Sequence, residues 1–140
     1  MKSYTLDSVA LLHYLLDILP NRVRTVVEEA EAGNARLELP AIVLVETSYI
    51  LKKRDEIRGS DVRNISNRED IEAVLESIER GSPIELVETG YDEVRLVAGW
   101  TDSFSIHDAM IVASHERRNT DAVLTKDGTI VDSDVPTVWD

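Results

Sequence analysis

Short apolar stretches alternating with longer segments of helical periodicity constrain this chain of 140 residues more than anything else in it. Residues 4–6, 36–39, 84–87, 122–125 and 137–139 read as strands. Residues 8–19 place Val9, Leu12, Leu15, Leu16 and Leu19 at helical spacing until Pro20 stops them. Asn21 reads as the N-cap of a second helix to residue 32, closed by Gly33-Asn34. Pro40 reads as the first position of a helix continuing over 41–54, apolar on almost every side and so expected to be deeply packed. Residues 55–67 are charged and irregular, a loop. Asn67 is expected to cap a helix over 68–80, and further helices are expected over 91–98 and 105–118. Strands alternating with helices predict an α/β protein: one domain over residues 1–140, with a short parallel sheet and helices on both faces.

The charge balance narrows the function. Acidic residues number 27 against 15 basic ones, a formal charge of −12. Nonspecific nucleic-acid binders are usually basic, because they displace counterions from phosphates. Contact with a polyanion here requires local Arg or Lys, a bound cation, or high salt. Arg outnumbers Lys, 11 to 4, and such a surface suits a salt-filled cytoplasm, where the screening length falls to about 3 Å at ~1 M; a halophilic source is the expectation. Cysteine is absent, which removes disulfides, thiolate metal sites and a cysteine nucleophile. Asp7 and Asp17 bracket the first apolar stretch, so the start is not read as a signal peptide, and no charge-free apolar run reaches the ~18 residues needed to span a bilayer. A cytoplasmic protein with no membrane partner is expected.

Surface acids need no explanation; acids that interrupt buried elements do. Asp7 stands where the first strand hands over to the first helix, and in open parallel sheets the carboxyl ends of strands are where ligands bind. An N-cap is the plainer reading of that position. Glu46 lies in the apolar run Ile42-Val43-Leu44-Val45, and its helical neighbours three and four positions away are Ile42, Val43, Tyr49 and Ile50. A carboxylate on such a stripe is neutralised, paired or metal-bound; Lys53 or Arg54 would serve as a pairing partner. Asp108 occupies the first turn of its helix, three residues after Ser105, as in a capping box with Asp in place of Glu. Asp127 follows the strand over 122–125 and precedes Gly128, an address that also suits a turn. If the first and fourth strands are sheet neighbours, Asp7 and Asp127 sit side by side, and the helices bring in Glu46 and Asp108. Four carboxylates in one pocket repel one another, and a hard divalent cation, Mg2+ or Mn2+, resolves that repulsion. Ser8 and Thr125 add hydroxyls beside two of the acids.

These residues resemble the PIN-domain ribonucleases, in particular the VapC-type toxins of toxin–antitoxin pairs. The resemblance lies in Leu6-Asp7-Ser8 before an apolar helix, in Leu39-Pro40 followed by Ala-Ile-Val-Leu-Val-Glu46-Thr, in Asp108-Ala-Met-Ile-Val-Ala, and in Leu124-Thr125-Lys126-Asp127. The four motifs run in order along nearly the whole chain. Two departures are Ser8-Val9, where Thr-Ser or Ser-Ser is more usual, and His107, where a small or apolar residue is common.

The resemblance implies a PIN-like three-layer fold and metal-dependent hydrolysis of RNA phosphodiester bonds, with Asp7, Glu46, Asp108 and Asp127 as the catalytic acids. Asp7 and Asp108 are expected to touch the Mg2+ (or Mn2+) directly, Glu46 and Asp127 directly or through water, with Ser8 and Thr125 supporting them. It further implies an RNA substrate, a cognate antitoxin and a homodimer. Lys52, Lys53 and Arg54 are candidates for RNA phosphate contact; a solvated charge run is the alternative. His13 is read as structural, His115 as packed or exposed, and His107 as adjacent to the site. A PIN nuclease of RNA processing and a PIN-like binding module without turnover remain alternatives. A Rossmann or P-loop domain is excluded by the lack of a glycine-rich turn after a strand.

Overall fold

The structure, a computed structural model, describes residues 1–53, 56, 57, 60, 61 and 71–140. In chain order the elements are β1 (Lys2–Leu6), α1 (Ser8–Leu15), α2 (Asn21–Glu31), β2 (Ala35–Pro40), α3 (Ala41–Lys53), β3 (Glu56–Ile57), β4 (Ser60–Asp61), α4 (Ile71–Gly81), β5 (Ile84–Val87), α5 (Tyr91–Val97), α6 (Ile106–Arg118), β6 (Ala122–Leu124), α7 (Gly128–Val131) and β7 (Thr137–Val138). The five expected strands form one parallel sheet in the order β5-β2-β1-β6-β7. The chain builds outward from β1 through β2 to β5, then returns to β6 on the other side of β1. Crossovers between parallel strands are right-handed as a rule, so the two halves of such a path cover opposite faces, in keeping with the layered α/β fold expected.

Alternation along β2 assigns the faces. Leu37 and Leu39 are fully buried and meet a core built with Leu6, Leu11, Val23, Val43, Val74 and Ile78. β6 is apolar and buried at every position, and β1 is buried at Tyr4, Thr5 and Leu6, as a sheet covered on both faces requires. Among the described residues, no helix is long and apolar enough to cross a membrane.

Helix ends account for most departures from expectation. α1 stops at Leu15, not at residue 19, because Asp17 takes a left-handed conformation at φ 56°. The N–H of Ile18 then reaches the carbonyl of His13 and that of Asp17 the carbonyl of Tyr14, the paired bonds of a Schellman cap. Gly33, at φ 79°, closes α2 with the same pair of bonds. The N-cap of α2 is Pro20, not Asn21, and Pro40 ends β2 instead of opening α3. α3 is less enclosed than its apolar sequence suggests: Val45 and Tyr49 are 56% and 64% exposed. Within the segment expected as a loop, β3 and β4 pair antiparallel as a two-stranded ribbon. The expected cap at Asn67 and the first turn over 68–70 lie outside the described residues.

Candidate active site

The site forms where two neighbouring strands run out. β1 and β6 pair with Leu6 opposite Leu124, and the N–H of Asp7 donates to the Leu124 carbonyl across 3.3 Å. Asp7 and Thr125 therefore leave the sheet side by side. The same two strands mark the point where chain order reverses, the place at which open α/β sheets bind ligands at the strand carboxyl ends.

Local hydrogen bonds fix each acid. Asp7 caps α1: its Oδ1 accepts from the N–H of Ala10 at 2.8 Å, and its Oδ2 accepts from the Thr125 hydroxyl. Thr125 Oγ1 accepts in turn from the N–H of Asp127 at 3.0 Å, so one hydroxyl ties the two strand-end acids together. Asp127 caps α7, with Oδ1 accepting from the N–H of Thr129 at 2.9 Å. Asp108 stands in the first turn of α6, where its N–H donates to the Ser105 hydroxyl at 3.4 Å. Glu46, on α3, is clasped from two sides: Ser8 Oγ donates to Oε1 at 2.6 Å, and His107 Nδ1 lies 3.6 Å from Oε2. The capping and turn readings of Asp7, Asp108 and Asp127 thus hold as local structure. A capped carboxylate is a positioned carboxylate.

Electrostatics links the four, since Asp7 and Asp108 each feel the charges of Asp127 and Glu46. Asp7 is buried, and loss of hydration pushes its carboxyl from 3.8 up to about 7, against the pull of the Thr125 and Ala10 bonds; the charges of Asp127 and Glu46 add to the rise. The Asp108 carboxyl is raised as well, first by burial and then by Asp127, with a further push from Glu46; Ser105 and His107 pull the other way. Both acids feel both of the others.

Whether a cation suits this pocket is decided by its donors. As placed, no three acidic or imidazole side chains among the described residues close round one point in the manner of a metal cage. The donor chemistry nonetheless fits a hard divalent ion: all four acids offer oxygen, and they repel one another without a cation between them. Each Asp7 oxygen accepts a single bond and so keeps a lone pair for a further partner.

The structure brings Asp7, Glu46, Asp108 and Asp127 together, with Ser8 on Glu46 and Thr125 on Asp7. The side chains of Lys52 and Lys53, and all of Arg54, lie outside the described residues. His13 is buried, its Nδ1 2.8 Å from the Val9 carbonyl and its ring edge-on to Trp139. His115 Nδ1 lies 2.7 Å from the Thr120 hydroxyl, and burial lowers its pKa. The contact of His107 with Glu46 went unassigned in the sequence, since adjacency to Asp108 says nothing of what α3 presents. α7 was hidden behind the Asp-Gly turn signal, although Asp127 as an N-cap would have announced it.

Comparison with curated proteins gives no match. Among solved structures the fold is similar to VapBC2 from Rickettsia felis, determined bound to a DNA fragment from its promoter, with a TM-score of 0.70 over 99% of both chains at 14% identity. It is also similar to VapC20 of Mycobacterium tuberculosis, described as a sarcin-ricin loop cleaving toxin (TM-score 0.61, 16% identity, 98% of this chain and 99% of that one). DNA-bound VapBC from Salmonella typhimurium gives a TM-score of 0.65 at 15% identity over 99% and 98% of the two chains. At such identities the likeness is one of fold. In sequence, the family model for the PIN domain matches residues 4–134, a span that holds all four acids, and on that match the chain belongs to the PIN-domain family.

Proposed function

We propose that this protein is a metal-dependent endoribonuclease, the toxin of a toxin–antitoxin pair, and that Asp7, Glu46, Asp108 and Asp127 are its catalytic acids. The observation that carries the reading is the shared field of these acids at the β1–β6 switch point, with Asp7 held by Thr125 and pushed up to about 7. Three of the structures similar in fold are VapBC or VapC proteins, which supports the toxin assignment.

A divalent ion, Mg2+ or Mn2+, would be held by Asp7 and Asp108 directly and by Glu46 and Asp127 directly or through water; when bound it supplies charge for the scissile phosphate and acidifies an attacking water. The chain's own residues supply the rest. Ser8 fixes the Oε1 side of Glu46, which leaves Oε2 of this less buried carboxylate to take a proton from the attacker. Thr125 holds Asp7 and the Asp127 backbone in one register, so that the strand ends move as a unit. The capping bonds at Ala10 and Thr129 keep both carboxylates from swinging out to solvent. Because the chain carries a charge of −12, RNA contact calls for a local set of basic residues, with Lys52, Lys53 and Arg54 as candidates, and a divalent ion would add to their attraction when bound. The acidic pocket suits an antitoxin tail that presents a basic side chain.

The test is cleavage of a panel of RNAs by the purified chain in Mg2+ or Mn2+. Activity should vanish in EDTA and fall by at least about 100-fold in Asp108→Asn, with the fold retained by circular dichroism. Cleavage that survives both EDTA and the substitution refutes the reading. Co-purification with the product of a small adjacent gene tests the antitoxin.

A further inference from the structure

We propose that Lys126 holds a phosphate of the RNA backbone beside the acid pocket. The inference rests on the reading of that pocket as the site of a ribonuclease and gives it a substrate-binding residue.

A chain with 27 acidic and 15 basic residues has little free positive charge to offer a polyanion. Among the described residues most of that charge is already engaged. Arg24, Arg36, Arg80, Arg117 and Arg118 each meet a carboxylate. Arg22 donates to the Asp140 carbonyl, and Arg95 lies over the Tyr91 ring. Of the lysine and arginine side chains described, Lys2 and Lys126 remain, and neither forms an ion pair there.

These two stand at opposite ends of the sheet. Lys2 opens β1, at the amino ends of the parallel strands. Lys126 follows β6 at the carboxyl ends, where the acids gather. Both of its chain neighbours are site residues: Thr125 donates to Asp7, and Asp127 is one of the four acids. Their Cα atoms each lie about 3.8 Å from that of Lys126.

The backbone on either side is pinned. The N–H of Thr125 donates to the Val138 carbonyl at 3.3 Å, and that of Asp127 to the Thr125 hydroxyl at 3.0 Å. Asp127 is tied in turn by its bond from the Thr129 N–H. Lys126 is thus carried on a fixed base, and the residue is half-buried. A cation held in this way loses less conformational freedom on binding than one on a loose surface segment. Its ammonium offers three donors, and no carboxylate of the described residues takes them up.

A phosphodiester suits that ammonium. It brings the negative charge the lysine lacks, and lysine meets a phosphate as a point charge, without the fixed fork that arginine imposes. The acids repel the same phosphate, so a cation next to them offsets part of that repulsion during approach. A backbone contact carries no base information; Lys126 therefore sets affinity and leaves the choice of cleavage sequence to other residues.

The experiment uses the full chain and a fluorescein-labelled single-stranded RNA. Binding is followed by fluorescence anisotropy in EDTA, where metal-assisted cleavage is off, over a series of salt concentrations. Lys126→Gln should weaken binding by about tenfold. It should also flatten the plot of log affinity against log salt by about 0.7, the share of one phosphate contact on a single strand. Lys126→Arg should keep the wild-type slope, which separates lost charge from lost fold, and Lys2→Gln should change neither quantity. In Mg2+, the cleavage lost by Lys126→Gln should appear in KM, with kcat little changed. Wild-type affinity and slope in Lys126→Gln overturn the inference. So does an equal loss in Lys126→Arg, or in Lys2→Gln, as diffuse attraction would give. A wild type that binds no RNA in EDTA overturns it too. The ribonuclease reading is judged apart from all of these, by cleavage in Mg2+.

Discussion

Asp7→Asn in the metal-free protein should make the fold more stable at alkaline pH relative to the wild type, even though it removes a proposed catalytic group. Asp7 is 3% exposed, and burial pushes its carboxyl from 3.8 up to about 7. A folded-state pKa above the unfolded one means that the native chain holds a proton the unfolded chain releases. That contribution to stability is fully present below the unfolded value of 3.8 and is lost as pH rises through about 7. Three units correspond to about 4 kcal/mol in all, and more than half of it falls between about pH 5 and pH 8. The substitution is not free: the Thr125 hydroxyl, which donates to Oδ2 and accepts from the Asp127 N–H, loses its acceptor when an amide nitrogen faces it, at about 1–3 kcal/mol. That loss does not vary with pH. The clean observable is therefore the difference between variant and wild type measured at both pH values. Urea unfolding in EDTA at about pH 5 and about pH 8 should show the variant gaining roughly 2–3 kcal/mol on the wild type between the two. A divalent ion added at the higher pH should restore the wild type, because it compensates the buried charge. A gap that stays constant with pH would refute the account of Asp7 as a desolvated acid among acids.

Thr125→Val removes the hydroxyl that both donates to Asp7 and accepts from Asp127. It should destabilise the fold by about 1–3 kcal/mol and raise the Asp7 carboxyl further, readable as an alkaline shift of the Asp7 titration by carbon-detected NMR. Ser8→Ala frees Oε1 of Glu46 and should lower metal affinity by about 10–100-fold by calorimetry with little change in urea midpoint. Arg118→Met strands Glu38, a buried strand acid whose Oε1 accepts from Arg118 Nε at 2.6 Å. It should cost about 3 kcal/mol, the low end for breaking a buried pair because Arg118 keeps some exposure, and Glu38→Gln in the same chain should recover much of the loss.

The strand order could not be read from the chain, but its ingredients could. All five strands of the sheet are marked by short apolar runs, and parallel pairing follows from the helices between them. Helix ends were less legible. Asp17 terminates α1 by adopting a left-handed conformation that glycine or asparagine would have signalled, so Pro20 drew the boundary too late. The apolar sequence of α3 suggested burial on all sides, yet burial also depends on what lies opposite, and Val45 and Tyr49 stay largely exposed. At the site, Asp7 and Asp127 were legible because each stands where a strand ends, Glu46 because it interrupts an apolar helix, and Asp108 because it opens one. The bonds that order them were not, because Ser8 and Glu46 are 38 residues apart and Thr125 and Asp7 are 118 apart.

The criterion of an acid inside a buried element also picks out residues that have nothing to do with the pocket. Glu38 interrupts β2 and is 3% exposed; Glu93 sits in α5 at 2%. Burial alone does not separate these from Asp7. Their partners do. Glu38 is met by the guanidinium of Arg118, and Glu93 by Arg117 Nη1 at 3.6 Å and the Gly90 N–H. A buried carboxylate given a cation by its own fold already has its counter-charge. Asp7 receives a hydroxyl, a backbone N–H and two more acids, so the chain leaves its charge for something else to neutralise. The mark of Asp7 is thus an absent counter-charge among the described side chains that face it, and it distinguishes this acid from the arginine-paired acids of the same protein.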